Sequence, residues 1–147
     1  MNREILFRGK SIGAGEWLYG YLFNYGLTAP SNVPCISVCV PTSWKEAYNL
    51  YAAHPDTIGQ YTGLKDKNGK KIFEGDVVHI KGDGYGGTKV GKDYYRVVTF
   101  HEGAFCLSIE DGVHYPVHTP IYEHRDSLNI VNWDVVGNIT DNPKLIK

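Results

Sequence analysis

The chain has 147 residues, of which 42% are hydrophobic and 21% charged, and its formal net charge at pH 7 is −1. That balance excludes a disordered chain, and the length supports one ordinary domain with its own core while leaving little room for a second. A net charge so close to zero removes any global electrostatic case for a nucleic-acid binder, which carries a basic excess.

Seventeen glycines and eleven tyrosines tilt the expected fold towards β, since tyrosine suits half-buried pleated surfaces and glycine supplies turns between short strands. Arg3 to Arg8 alternates as a strand, Ser11 to Gly15 reads as a turn, and Glu16 to Phe23 forms a second strand, completing a hairpin. Trp17, Tyr19, Tyr21 and Phe23 share one face of that strand and Leu18, Gly20 and Leu22 the other, so both faces are expected to be partly buried. After a loop over Asn24 to Asn32, Val33 to Val40 is bounded by Pro34 and Pro41, which predicts an edge strand. An amphipathic helix follows near residues 43–53. Ser43 with Glu46 fits a capping box, and Trp44, Ala47, Tyr48 and Tyr51 fall on one stripe suited to packing on a sheet. His54-Pro55 ends it.

The run Ile58 to Ile80 is the most strongly specified. Asn68-Gly69 predicts a type I′ hairpin turn, flanked by apolar anchors in Tyr61 to Leu64 and Lys71 to Phe73. Glu74-Gly75-Asp76 is a second tight bend, held by carboxylates that accept nearby backbone amides, before Val77 to Ile80 begins a new strand. Asn68, Gly69, Glu74, Gly75 and Asp76 are therefore read as structural turn residues. Further on, Tyr94 to Phe100 and Ala104 to Ile109 form a hairpin, Val113 to Val117 a short strand, Glu123 to Asp126 a loop or short helix, and Ile130 to Ile139 a closing strand.

The segment Gln60 to Val78, QYTGLKDKNGKKIFEGDVV, resembles the signature of the YopX family of bacteriophage and prophage proteins. Ile5 to Arg8 and Trp133 to Ile139 followed by Asp141-Asn142-Pro143 agree with it, whereas residues 9–56 and 81–129 match only loosely. The resemblance implies viral origin and a β-rich fold and points to no reaction. The expectation is thus a mainly β protein (a β-rich α+β fold), drawn as a small, partly open antiparallel β-barrel, SH3-like in style. Residues 1–147 form a single domain, with residues 9–56 as a candidate small appended lobe.

Several motifs invite chemistry. Gly82-Asp83-Gly84-Tyr85-Gly86-Gly87 spells a dinucleotide-binding fingerprint, but Thr88 to Phe100 is β-branched and aromatic where that chemistry needs a helix to begin, so a hairpin tip is expected. His114 and His118 have a metal-binding spacing for a helix, yet Pro116 lies between them, and in an extended segment they would stand roughly 13 Å apart. Cys35, Cys39 and Cys106, among apolar neighbours, read as reduced core thiols. Neither catalytic residues nor a cofactor or metal is expected, and the chain is read as not an enzyme.

No apolar run approaches the ~20 residues that span a bilayer, and the amino terminus lacks a signal-peptide core, so the chain is read as intracellular; the resemblance implies that this is the cytoplasm of a bacterial host cell. The expected activity is that of a non-catalytic interaction module, with a protein partner or a second copy of itself. The alternative is nucleic-acid binding by the basic hairpin at residues 65–71. Between Lys65 and Arg96 eight basic residues face five acidic ones; Lys65, Lys67, Lys70, Lys71 and Lys81 would contact phosphates, and Tyr61, Phe73 or Tyr85 would stack on bases.

Overall fold

The computed structural model describes residues 3–24, 33–84, 88–109 and 117–146. The chain divides into two compact units, Met1–Tyr61 and Thr62–Lys147.

In the first unit, strands β1 (Phe7–Lys10), β2 (Trp17–Asn24) and β3 (Pro34–Ser37) are antiparallel in the order β3-β2-β1, and the start of β4 (Gly59–Lys65) pairs with β1. Pro34 lies on the edge strand, where its missing N–H costs no ladder bond. One face of this sheet is core. A Cβ on Gly9 would lie within 3.3 Å of Ile58, Ala53 and Ile36 side chains, and Ile36 and Ala53 are fully buried. Gly20 allows a closer approach still, because a Cβ there would meet the Ser37 carbonyl carbon at 2.5 Å. The other face is not buried along its length. It is covered in part, as expected: Trp17 and Phe23 are half-buried, whereas Tyr19 and Tyr21 between them are exposed.

The helical segment is shorter than expected and wound differently. Helix α1 (Trp44–Glu46) runs directly into a π-wound stretch, Ala47–Tyr51. Ser43 Oγ accepts from the Glu46 N–H at 3.2 Å, as a capping box requires, but the Glu46 carboxylate turns back to Thr42, taking its N–H at 2.7 Å and its hydroxyl at 2.6 Å. The π winding breaks the i, i+4 register, so the aromatic stripe splits: Ala47 and Tyr51 join Cys35, Ala52 and Phe23 in a small cluster, while Trp44 and Tyr48 remain exposed.

In the second unit, β6 (Asp76–Lys81), β7 (Asp93–His101), β8 (Ala104–Ile109), β9 (Val117–Pro120) and β10 (Asp134–Asn138) form an antiparallel sheet in the order β10-β6-β7-β8-β9. The end of β4 and β5 (Lys71–Phe73) flank the signature hairpin. Leu64, Ile72, Val78, Val98, Leu107, Ile121, Val131 and Trp133 make the main core, each contributing about 1.5–3 kcal/mol of apolar transfer. The mainly β class with one short helix is observed. The strands make two antiparallel sheets rather than a barrel: this sheet ends at β9, which carries Pro120, and at β10, whose register shifts between Val135 and Gly137. Glu123 and His124 lie in a 3-10 turn, Ile121–His124.

The signature turn differs from the expected type. Asn68 is absent from the residues at positive φ, so Asn68-Gly69 is not a type I′ turn. The Gly69 N–H donates to the Asp66 carbonyl at 2.9 Å and the Asp66 N–H to the Lys70 carbonyl at 2.8 Å, with Gly69 at φ 82°. That is a three-residue loop, a type I turn closed by a left-handed glycine. The turn with both central residues left-handed is Glu102-Gly103, at φ 48° and 83°, between the paired residues His101 and Ala104.

Candidate functional site

The signature hairpin is held by Asp66, which is buried. Its Oδ1 accepts from the Asn68 and Lys70 N–H groups, both at 2.9 Å, and its Oδ2 from the Val135 N–H at 3.1 Å. The local bonds explain why the three-residue loop wins over type I′: the carboxylate of Asp66, immediately before the loop, draws two amides inward. Lys67 N–H donates to the Trp133 carbonyl at 3.1 Å, and Lys67 Nζ and Asn68 Nδ2 both reach the Asp134 carboxylate, at 2.8 and 3.0 Å. The Lys67 ammonium holds the Asp134 carboxyl below the usual aspartate range. The same carboxylate lies 3.6 Å from His79 Nδ1, and His79 Nε2 lies 2.8 Å from Asp93, whose carboxyl is also lowered, by that hydrogen bond. At the following bend, Asp76 is buried and takes the Phe73 N–H at 2.8 Å, while Gly75 N–H donates to the Val98 carbonyl.

The sequence-predicted contact residues therefore have different fates. Lys65 and Lys70 are exposed, Lys71 is half-buried, and Lys67 is committed to Asp134. Lys81 is exposed opposite Asp93 in the β6–β7 ladder, so a carboxylate accompanies it. Tyr61 and Phe73 are buried and cannot stack on a base, which corrects the expected role of both. Tyr85 to Gly87 and His114 lie outside the described residues, as does the side chain of His118. Cys35 and Cys106 are buried thiols pushed up by burial, whereas Cys39 is exposed and not a core thiol; all three are free. Among the described residues, no group of three His, Cys, Asp or Glu side chains is placed to hold a metal ion, and no helix is long and apolar enough to cross a membrane.

A cleft of about 360 Å³ beside Lys67 is lined by His124, Arg125, Asp126 and Asn132, and two of its charged groups are occupied within the chain. Asp126 Oδ1 accepts from the Leu128 and Ile130 N–H groups, Arg125 donates to the Tyr122 carbonyl, and the His124 ring lies 5.2 Å from that of Trp133.

The more open surface was not singled out by sequence. On the exposed face of the first unit's sheet, the register places Arg8 opposite Tyr19 and Lys10 opposite Trp17. Strand alternation adds Tyr21 to the same face. Arg8 Cζ lies 4.7 Å and Lys10 Nζ 6.0 Å from the Trp17 ring centre, so both cations stack against the indole. Arg8 is buried beneath this contact, while Tyr19 is 50% and Tyr21 63% exposed. Gly59 of β4 pairs with Arg8 on the far side and adds no side chain. At the opposite end Phe23 and Cys35 pack with Ala47 and close the face. The signal was present in Trp17-Leu18-Tyr19-Gly20-Tyr21, but period-2 alternation cannot tell a covered aromatic face from an open one.

Comparison with known proteins agrees with this architecture. A crystal structure of protein EF1440 from Enterococcus faecalis superposes with a TM-score of 0.55 at 22% identity, covering 99% of this chain and 100% of that one, a likeness of fold alone. No curated protein matches. The family model described as YopX protein matches residues 6–147, so the chain belongs to the YopX family.

Proposed function

We propose that this is a phage- or prophage-derived accessory protein of the host cytoplasm that works without catalysis, as a module binding a partner through the aromatic face of β2. The observation that carries the reading is the pair Tyr19 and Tyr21, two residues apart on one face of β2 and 50% and 63% exposed. Large rings left exposed on a packed sheet are a frequent anchor of interfaces, because they bury much area at little cost in side-chain entropy. The viral origin rests on the family resemblance. A second reading, phosphate contact by the basic hairpin at residues 65–71, has the exposed Lys65 and Lys70 in its favour.

A photo-crosslinking residue placed at Tyr21, with a second one at Lys70 as comparison, separates the two in the bacterial host. The interaction reading expects a discrete adduct from position 21 that added unlabelled protein competes away and a Tyr19→Ala background removes. Adducts from position 70 alone would favour the hairpin, and none from either position would reject both.

A further inference from the structure

We infer that the Trp17-Tyr19-Tyr21 face with Arg8 and Lys10 is a platform for single-stranded nucleic acid; the inference rests on the reading of this face as the binding surface and names its occupant.

Geometry and charge select this ligand together. Tyr19 and Tyr21 are two residues apart on one face of β2, which separates their rings by about 6.8 Å along the strand. That is roughly twice the rise per base of a stacked duplex strand, so the rings match bases that have been drawn apart and could not each receive a base of intact double helix. A ring face is sequence-tolerant, since every base offers a π surface. The cations lie on the neighbouring strand, where the backbone of such a ligand would run. Lys10 is half-buried with its ammonium near the edge of the platform, and Arg8 beneath Trp17 adds fixed positive charge without reaching outwards. The acidic residue nearest in sequence, Glu16, is exposed one position before β2 and outside the strand that carries the rings. The exposed part is therefore aromatic and cationic together, which fits a polyanion of planar rings better than an apolar peptide. The neutral overall charge is compatible with this, because so few cations are involved.

The test uses the full chain and fluorescently labelled 15-mer oligo(dT) and oligo(U), followed by anisotropy. Binding should weaken about tenfold for Tyr19→Ala and about tenfold for Tyr21→Ala, and be little changed for Lys70→Gln or Tyr48→Ala, both at exposed positions off the platform. With Lys10 as the cation that reaches outwards, about one phosphate is neutralised, so log K should fall against log salt with a slope of about −0.7, and a Lys10→Gln variant should remove most of that slope. Melting temperatures confirm that each variant is folded. Equal affinity for the two tyrosine variants and the wild type, or loss only with Lys65→Gln and Lys70→Gln, overturns the inference. If no oligonucleotide binds while the position-21 crosslink persists, the occupant is a protein: the nucleic-acid assignment falls and the interaction module stands.

Discussion

At the scale of single residues, the chain is governed by a few buried carboxylates and left-handed positions. Asp66 serves three amides from within the protein. Asp66→Ala would orphan all three, and a loss of about 3 kcal/mol in urea unfolding is the expected result for removing a buried, hydrogen-bonded carboxylate. Gly69→Val should cost about 1–2 kcal/mol for a different reason, the positive φ at that position; an unchanged denaturation midpoint would contradict the loop described above. Asp134 supplies a pH dependence. Its folded carboxyl is depressed by Lys67, so the unfolded chain binds the proton more readily. The stabilisation is present above the ordinary aspartate value near 3.9 and is lost as pH falls through the lower folded value. Asp134→Asn should flatten that part of the decline in urea midpoint between about pH 5 and pH 3, and an unaltered acid limb would show the Lys67 pair to be inert.

At the scale of elements, the sequence was most readable where local chemistry decides and least where neighbours do. The β1–β2 and β7–β8 hairpins follow from alternation, although β1 runs over Phe7–Lys10 and not over Arg3 to Arg8, and the pairing of Ser43 with Glu46 announced a helix start. The hairpin at Asn68-Gly69 was legible as a turn but not as a turn type, because the deciding acceptor was the carboxylate of Asp66 and not the dipeptide itself. The left-handed pair instead formed at Glu102-Gly103, where glutamate has no intrinsic preference for it. Glu102→Asn should therefore stabilise the β7–β8 hairpin by about 1 kcal/mol, read as a melting temperature raised by a few degrees. Neither the exposure of Tyr19 and Tyr21 nor the burial of Tyr61 was accessible in the same way. All three tyrosines lie in alternating strands, and only the tertiary fold decides which face is covered.

At the scale of the molecule, the two units differ in how much they bury. Among the described residues, eight buried side chains form the main core of the second unit, whereas the first has a three-residue cluster beneath its helix and Ile36 and Ala53 buried on the other face of its sheet. Native-state hydrogen exchange should accordingly be slowest for the amides of Val78, Val98 and Leu107 and faster for those of Cys35 and Phe23. Equal protection in both sets would mean that the chain opens only as a whole. A weaker first unit suits a binding surface, since regions that adapt to partners come from the less stable end of a protein.

The bond from Val135 to Asp66 joins residues 69 positions apart in the chain. During synthesis the hairpin leaves the ribosome long before its partner strand, and over that interval Asp66 has only Asn68 and Lys70 to satisfy it. The loop can thus assemble early from local bonds, while β10 docks last and closes a long loop whose entropy must be overcome. Substitutions at Asp134 or Val135 belong to the late step. They should accelerate unfolding and leave the refolding rate nearly untouched, so that β10 acts as a latch on the lifetime of the folded protein and not as a guide to its formation.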